Sequence, residues 1–217
     1  KDPKVMGRGV KRMPFRKALN RDVWEQSEAA KAIGEQWDVA RRKGGQTSFA
    51  DDAAGLLRTS IRSKGITLFL EPKALYNDPQ AEAFVPDDFE VPFGKAKIHR
   101  EGSDLTLITY GNTTPMSIAV ADKMAKESGA KIEVIDLRSL LPLDTETILE
   151  SVKKTNRVLV VHEDKVFSGF GGEVAAQIAA EAFEFLDAPI RRVGATFTPV
   201  GFNRILERET LPNAEKI

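Results

Sequence analysis

A three-layer α/β domain is what this sequence predicts for residues 95–217: a mostly parallel sheet, helices on both faces, and one antiparallel strand at an edge. Three observations carry that expectation. From Ala96 onward short apolar runs alternate with segments of helical period, the signature of a parallel sheet covered by crossover helices. The run Val158–Val161 is apolar throughout, as in strands buried on both faces. Finally, Ala96–Arg100 and Leu105–Thr109 are separated only by Glu101-Gly102-Ser103-Asp104, a turn short enough for a hairpin, which would place the antiparallel strand at the edge.

The elements follow in order. Residues 1–21 are basic and irregular, interrupted by Gly7, Gly9 and Pro14, and no element is assigned there. Asp22, with Glu25 three residues on, opens a helix whose apolar face is Val23, Ala30, Ile33, Trp37 and Ala40. Arg41-Arg42-Lys43 suits the negative end of its dipole, and Gly44 supplies the stop. A second helix follows Ser48, with Ala53, Leu56, Leu57 and Ile61 apolar and Gly65 at its end. Ile66–Leu70 reads as a short buried strand. Asp78–Pro92, with Pro79, Pro86 and Pro92, reads as a linker.

Beyond that stretch the pattern is regular. Thr114 caps a helix with Pro115 at its first position, Met116, Val120 and Met124 as its stripe, and Gly129 past its end. Ile132–Leu137 is a strand, and Asp144 caps a helix carrying Ile148 and Val152. Val158–Val161, a helix over Gly172–Phe185 and a last strand Ile190–Val193 complete the series. The domains are then 1–47 (basic arm and helix), 48–76, a linker over 77–94, and 95–217.

Composition narrows the chemistry. The chain has 217 residues, 41% of them hydrophobic, and no cysteine, which excludes disulfides, thiolate metal sites and a cysteine nucleophile. Two histidines, His99 and His162, are too few for a multi-histidine metal centre. Formal net charge is zero, against bulk nucleic-acid binding, and no run of about eighteen apolar residues spans a membrane. The charge is uneven: residues 1–47 carry about six more basic than acidic side chains. Lys1–Lys17 has one aromatic residue, Phe15, and reads as a solvated arm.

Each candidate site has a structural alternative beside it. Ser168-Gly169-Phe170-Gly171-Gly172-Glu173 opens a helix after a strand, where backbone amides can hold a phosphate. It lacks the Lys-Ser/Thr of a P-loop and the three-glycine dinucleotide spacing, and Glu173 would repel an anion, so tight packing is the favoured reading. His162-Glu163-Asp164 lies at a strand's carboxyl end, where a His beside carboxylates suits a general base, or equally a hydrogen-bonded residue at a subunit contact. His99 is expected to be exposed on the edge strand. Tyr110-Gly111-Asn112-Thr113-Thr114 meets capping and turn needs, and Asp136-Leu137-Arg138 suits an internal pair on one strand face. No catalytic, cofactor-binding or metal residue is assigned.

The stretch from about Ser48 to Ile217 resembles the beta subunit of 2-oxoacid dehydrogenases, the pyruvate and branched-chain (2-oxoisovalerate) enzymes. Leu70-Glu71-Pro72-Lys73-Ala74-Leu75-Tyr76, Asp104–Gly111, Ile135–Asp144, Val160–Asp164 with Gly169–Glu173, and Phe197-Thr198-Pro199 carry the likeness. The His162-Glu163 pair leans toward branched-chain enzymes. The resemblance implies a transketolase C-terminal-type domain with a five-stranded sheet, preceded by the last helix and strand of a pyrimidine-binding domain. It implies thiamine diphosphate and magnesium in the complete enzyme, with no residue here matching a thiamine-contacting position. Only about 70 residues precede the linker, where such a domain needs well over 100, so either a truncated or rearranged form of the family's chain, or one from which natural stretches are missing, is expected.

The implied role is assembly and docking. Expected partners are the alpha subunit or alpha-type half, a second beta copy, and the acyltransferase core, with no nucleic acid and no membrane. Glu184, Asp187 and the C-terminal Ile217 are the expected partner-binding residues. The expected location is the bacterial cytoplasm, or the mitochondrial matrix in a eukaryote. Two other classes stay open: a stand-alone interaction module whose basic arm is the working part, and a part of another transketolase-like enzyme, which Asp136–Asp144 and Pro199 fit less well.

Overall fold

The computed structural model describes Arg12–Met13 and residues 43–217. The basic arm and the helix expected from Asp22 lie outside the described residues, apart from Arg12 and Met13. Two compact units form: Lys1–Gly94 with Ser139–Pro142, and Lys95–Arg138 with Leu143–Ile217.

In the first unit β1 (Arg12–Met13) pairs antiparallel with β4 (Ala83–Phe84). A three-stranded sheet has the order β3 (Thr67–Leu70), β2 (Lys43–Gln46), β8 (Ser139–Leu141). Lys43 and Gly44 therefore belong to a strand rather than to a helix terminus. Pairing on both sides satisfies that backbone and outweighs glycine's weak strand preference. The strand expected to be buried, β3, sits at the sheet edge, and Leu68 is 61% exposed.

Helix α1 (Ala50–Arg62) packs Ala50, Ala53 and Ala54 against Leu75, Ala81 and Val85. The proline-rich stretch 78–92 contains a 3-10 turn, strand β4 and the buried Val85 and Val91. Arg58 fixes it to α1, its Nη1 donating to the Phe89 carbonyl at 2.9 Å and the Pro86 carbonyl at 3.3 Å.

The second unit is the expected α/β domain. Its strands are β5 (Lys97–Arg100), β6 (Leu105–Thr109), β7 (Ile132–Asp136), β9 (Val158–Lys165) and β10 (Arg191–Ala195), in the sheet order β10-β9-β6-β7-β5. All neighbours are parallel except β5 and β7. The antiparallel edge strand is thus present, but β5 and β6 are not a hairpin: β5 pairs with β7 and skips over it. Gly102 makes the skip possible. A Cβ there would lie 2.3 Å from the Glu133 amide, and the Ser103 and Asp104 amides both donate to the Lys131 carbonyl at 2.9 Å. The turn packs over the start of β7 instead of closing on itself.

Helices α2 (Thr113–Ser128), α3 (Thr145–Thr155) and α4 (Phe170–Ala182) carry the crossovers, and α5 (Arg204–Thr210) follows β10. Helix α2 begins one residue before Thr114, so the N-cap position falls to Asn112, whose side chain makes no capping bond. Thr113 serves the turn, its hydroxyl donating to the Tyr110 carbonyl at 2.9 Å. Gly129 closes α2 at φ 74°, the left-handed stop the sequence marks. Asp144 caps α3 as expected. Strand β9 runs four residues past Val161, so His162, Glu163 and Asp164 are in the sheet, and α4 starts two residues before Gly172. Leu107, Ile132, Val134 and Val161 form an apolar core with Ala121 of α2.

Candidate functional site

In this sheet the chain leaves β6 for β7 on one side and returns through α3 to β9 on the other. The carboxyl ends of β6 and β9 therefore flank the switch point where doubly wound sheets hold ligands. Strand β6 runs into Tyr110-Gly111-Asn112, with Gly111 at φ 64°. Strand β9 runs through His162-Glu163-Asp164-Lys165 into the turn before α4. The Asn112 amide donates to the Glu163 carboxylate across the gap.

Aromatic side chains fill this crevice. His162 is fully buried, its ring parallel to Tyr110 with centroids 6.2 Å apart, and Phe170 meets Tyr110 edge-on at 6.0 Å. Three glycines close around the imidazole. A Cβ on Gly171 would lie 2.3 Å from the ring, and one on Gly169 or Gly194 would lie 3.0 Å from its Cε1. This is why positions 169, 171 and 194 are glycine: the turn before α4, the first turn of α4 and β10 each approach the ring where a side chain would clash.

Burial pushes the His162 pKa down from 6.5, against the pull of Asp164, and burial pushes the Tyr110 phenol up. Both groups are neutral near pH 7. This buried, neutral imidazole packs the crevice between Tyr110 and the three glycines. A cavity of about 140 Å³ does occur, but between α3 and α4, lined by Ile148, Leu149, Val174 and Ile178.

The other expected residues fall elsewhere. His99 is not exposed: its side chain is 12% accessible, and Nε2 lies 3.7 Å from Asp136 Oδ2. The Asp136 carboxylate accepts the Arg138 amide at 3.1 Å, while the Arg138 guanidinium donates to the Lys95 and Ala96 carbonyls. Glu184 and Asp187 are exposed just past α4, beside Phe183, which is 75% exposed. The Asn156 side chain holds this segment through the Phe185 carbonyl at 2.7 Å, and the Asp187 amide donates to the Asn156 carbonyl. Ile217 packs on the core cluster containing Leu107 and Ala121, so its side chain is turned to the domain interior rather than grouped with the two acids. A second exposed feature is apolar: Phe167 and Phe197 touch at 4.6 Å, and Phe202 and Ile205 are exposed.

A buried ionic cluster was missed by sequence reasoning. Glu133 in β7 is fully buried and accepts from Lys154, from the Ser151 hydroxyl, and from the Gly102 amide at 3.3 Å. Burial opposes its ionisation, but these donors hold its carboxyl below the usual range. Thr106 extends the network, 2.6 Å from both Ser151 and Thr155. The available signal was Glu133 between Ile132 and Val134 in an otherwise mostly apolar strand, with Ser151, Lys154 and Thr155 at helical spacing on the next helix.

Fold and site together define a doubly wound α/β domain with a closed ligand crevice. The chain belongs to the transketolase C-terminal domain family, whose model, "Transketolase, C-terminal domain", matches residues 94–217. It is similar to the pyruvate dehydrogenase E1 component subunit beta-1, mitochondrial, of Arabidopsis thaliana, at 41% identity over 170 residues, covering 77% of this chain and 47% of that one. The pyruvate dehydrogenase E1 component subunit beta of Rickettsia felis is also 41% identical over 170 residues, covering 77% and 51%. The chain spans about half the length of the curated relatives it matches. A solved structure described as "Split gene transketolase, inactive beta4 tetramer" superposes with a TM-score of 0.66 at 23% identity, over 81% of this chain and 54% of that one, which shows the shared fold. No helix among the described residues is long and apolar enough to cross a membrane.

Proposed function

We propose that this chain is the C-terminal assembly and docking portion of the decarboxylating component of a 2-oxoacid dehydrogenase complex, of the pyruvate type. The observation that carries the reading is the 41% identity over 170 residues to pyruvate dehydrogenase E1 beta subunits. It favours pyruvate over the branched-chain substrate that the His162-Glu163 pair suggested. The apolar side chains Phe167, Phe197 and Phe202 offer a surface for an alpha-type subunit or a second beta copy, and Glu184 and Asp187 an acidic one for the acyltransferase core.

Thiamine diphosphate and magnesium belong, on this reading, to the complete enzyme. The described residues do not fit the cofactor: the crevice at the switch point is filled by Tyr110, His162 and Phe170, and Glu163 and Glu173 put carboxylates where a diphosphate would bind. Calorimetric titration of the chain with thiamine diphosphate and Mg²⁺ is expected to give no stoichiometric heat. A one-to-one binding isotherm would overturn the reading.

A further inference from the structure

The filled crevice has a titratable group at its centre. The imidazole of His162 is fully buried, and neither ring nitrogen has a well-aligned hydrogen-bond partner among the described residues. The parts that close on it come from four places in the chain: Tyr110 after β6, the turn ending at Gly169, Gly171 in the first turn of α4, and Gly194 in β10. The contact is close enough that the backbone must move if the ring moves. The turn itself is held in an uncommon conformation, with Ser168 at φ 63°.

We infer that the Tyr110–His162–Phe170 plug is a proton-sensitive latch, closed around a neutral imidazole and opening at the 166–169 turn and the first turn of α4 when His162 takes up a proton. A cation at this position needs water or an acceptor, and burial withholds the water, which outweighs the pull of the Asp164 carboxylate and backbone. The charged and titratable neighbours are few. Asp164 on β9 favours the proton, although its carboxylate already accepts the Lys165 amide at 2.7 Å, and Arg192 on β10 opposes it. Glu163 is engaged by Asn112, and Glu173 on α4 by Gln177 at 2.8 Å. Tyr110, from the end of β6, stays neutral. Opening is the route by which a proton on His162 gains solvent. Arg192 also ties the latch to its surroundings, because Nη1 donates to the Val166 carbonyl at 2.8 Å inside the moving turn.

The sign follows from the depressed imidazole. A group that binds its proton less readily when folded stabilises the closed form above its ordinary value of 6.5, and that contribution is lost as pH falls through the lower folded value. Acid therefore loosens the turn and neutral pH closes it.

The test is hydrogen exchange on the full chain at about pH 7.5 and about pH 5.5, corrected for the intrinsic pH dependence of exchange, beside an NMR titration of the imidazole Cε1–H signals. The chain has only two histidines, so His99→Gln leaves a single signal. The expected result is a loss of protection of roughly tenfold or more over residues 163–172 at the lower pH, with β7 still protected, and a His162 midpoint below 6.5. His162→Phe, which keeps a ring and cannot protonate, is expected to abolish the loss. Unchanged protection, a midpoint at or above 6.5, or β7 opening together with the turn would each overturn the inference. Should His162→Phe fail to fold, the NMR midpoint of the wild-type chain decides between these outcomes.

Discussion

Gly171 and His162 share one space: a methyl group on Gly171 would lie 2.3 Å from the Cδ2 and Nε2 of the imidazole. That contact locks the first turn of α4 onto the carboxyl end of β9 and closes the crevice where a doubly wound sheet holds its ligand. Gly172, the next residue, is different. A Cβ there meets only Arg192 Nη1, at 3.1 Å, the far end of a flexible side chain.

Gly171→Ala is therefore expected to cost about 1–3 kcal/mol of stability, the usual range for overpacking a tight interior. Gly172→Ala is expected to be neutral or stabilising by up to about 1 kcal/mol, since alanine is the better helix former. Urea unfolding of the two variants checks the pair. Equal losses would show that the backbone, not the ring, sets the need for glycine.

Glu133 and Lys154 form the second test. Lys154→Met leaves a buried carboxylate with Ser151 and Gly102 as its remaining donors, whereas Glu133→Gln removes the charge and keeps hydrogen-bonding atoms. The lysine variant is expected to be the less stable of the two by about 1–3 kcal/mol at pH 7. Because the folded Glu133 carboxyl lies below its ordinary value of 4.5, its contribution is full above that value and lost as pH falls through the folded one. The wild type and Glu133→Gln should thus converge in stability in acid, as followed by unfolding midpoints against pH.

Asp144 caps α3 and also accepts the Ala96 amide at 2.9 Å, tying the start of the edge strand to a helix terminus. Burial opposes its charge, but the Ala96 and Thr147 donors keep its carboxyl below the usual range. Asp144→Ala is expected to cost about 1–2 kcal/mol, and Asp144→Asn less, by thermal unfolding. A larger effect from the asparagine variant would contradict the capping role.

Much of the second unit was legible in the sequence because its strands are short apolar runs and its helices carry explicit stops, such as Gly129, and caps, such as Asp144. Strand order was harder. The four-residue turn after Arg100 looked like a hairpin, since length reports how near two strands can lie, not which neighbour they pair with. The deciding fact, the Gly102 backbone resting on Ile132 and Glu133, is a long-range contact. His162 was placed correctly at a strand end, but its burial depends on glycines seven to thirty-two residues away. Glu133 was passed over because an acid near the start of a strand reads as a solvent-facing position, and only the helix packed over it shows otherwise. His99 was read as exposed because an edge strand was assumed to have a solvent face.

The central proposal is that this chain serves as a docking portion of a larger enzyme. Calorimetric titration with the small binding domain of a pyruvate dehydrogenase acyltransferase tests it most directly, using the wild-type chain and the double variant Glu184→Lys/Asp187→Lys. Saturable one-to-one binding is predicted for the wild type, weakened roughly tenfold or more in the variant, with both unfolding at the same temperature. Equal affinity of the two chains, or no binding by either, would contradict it.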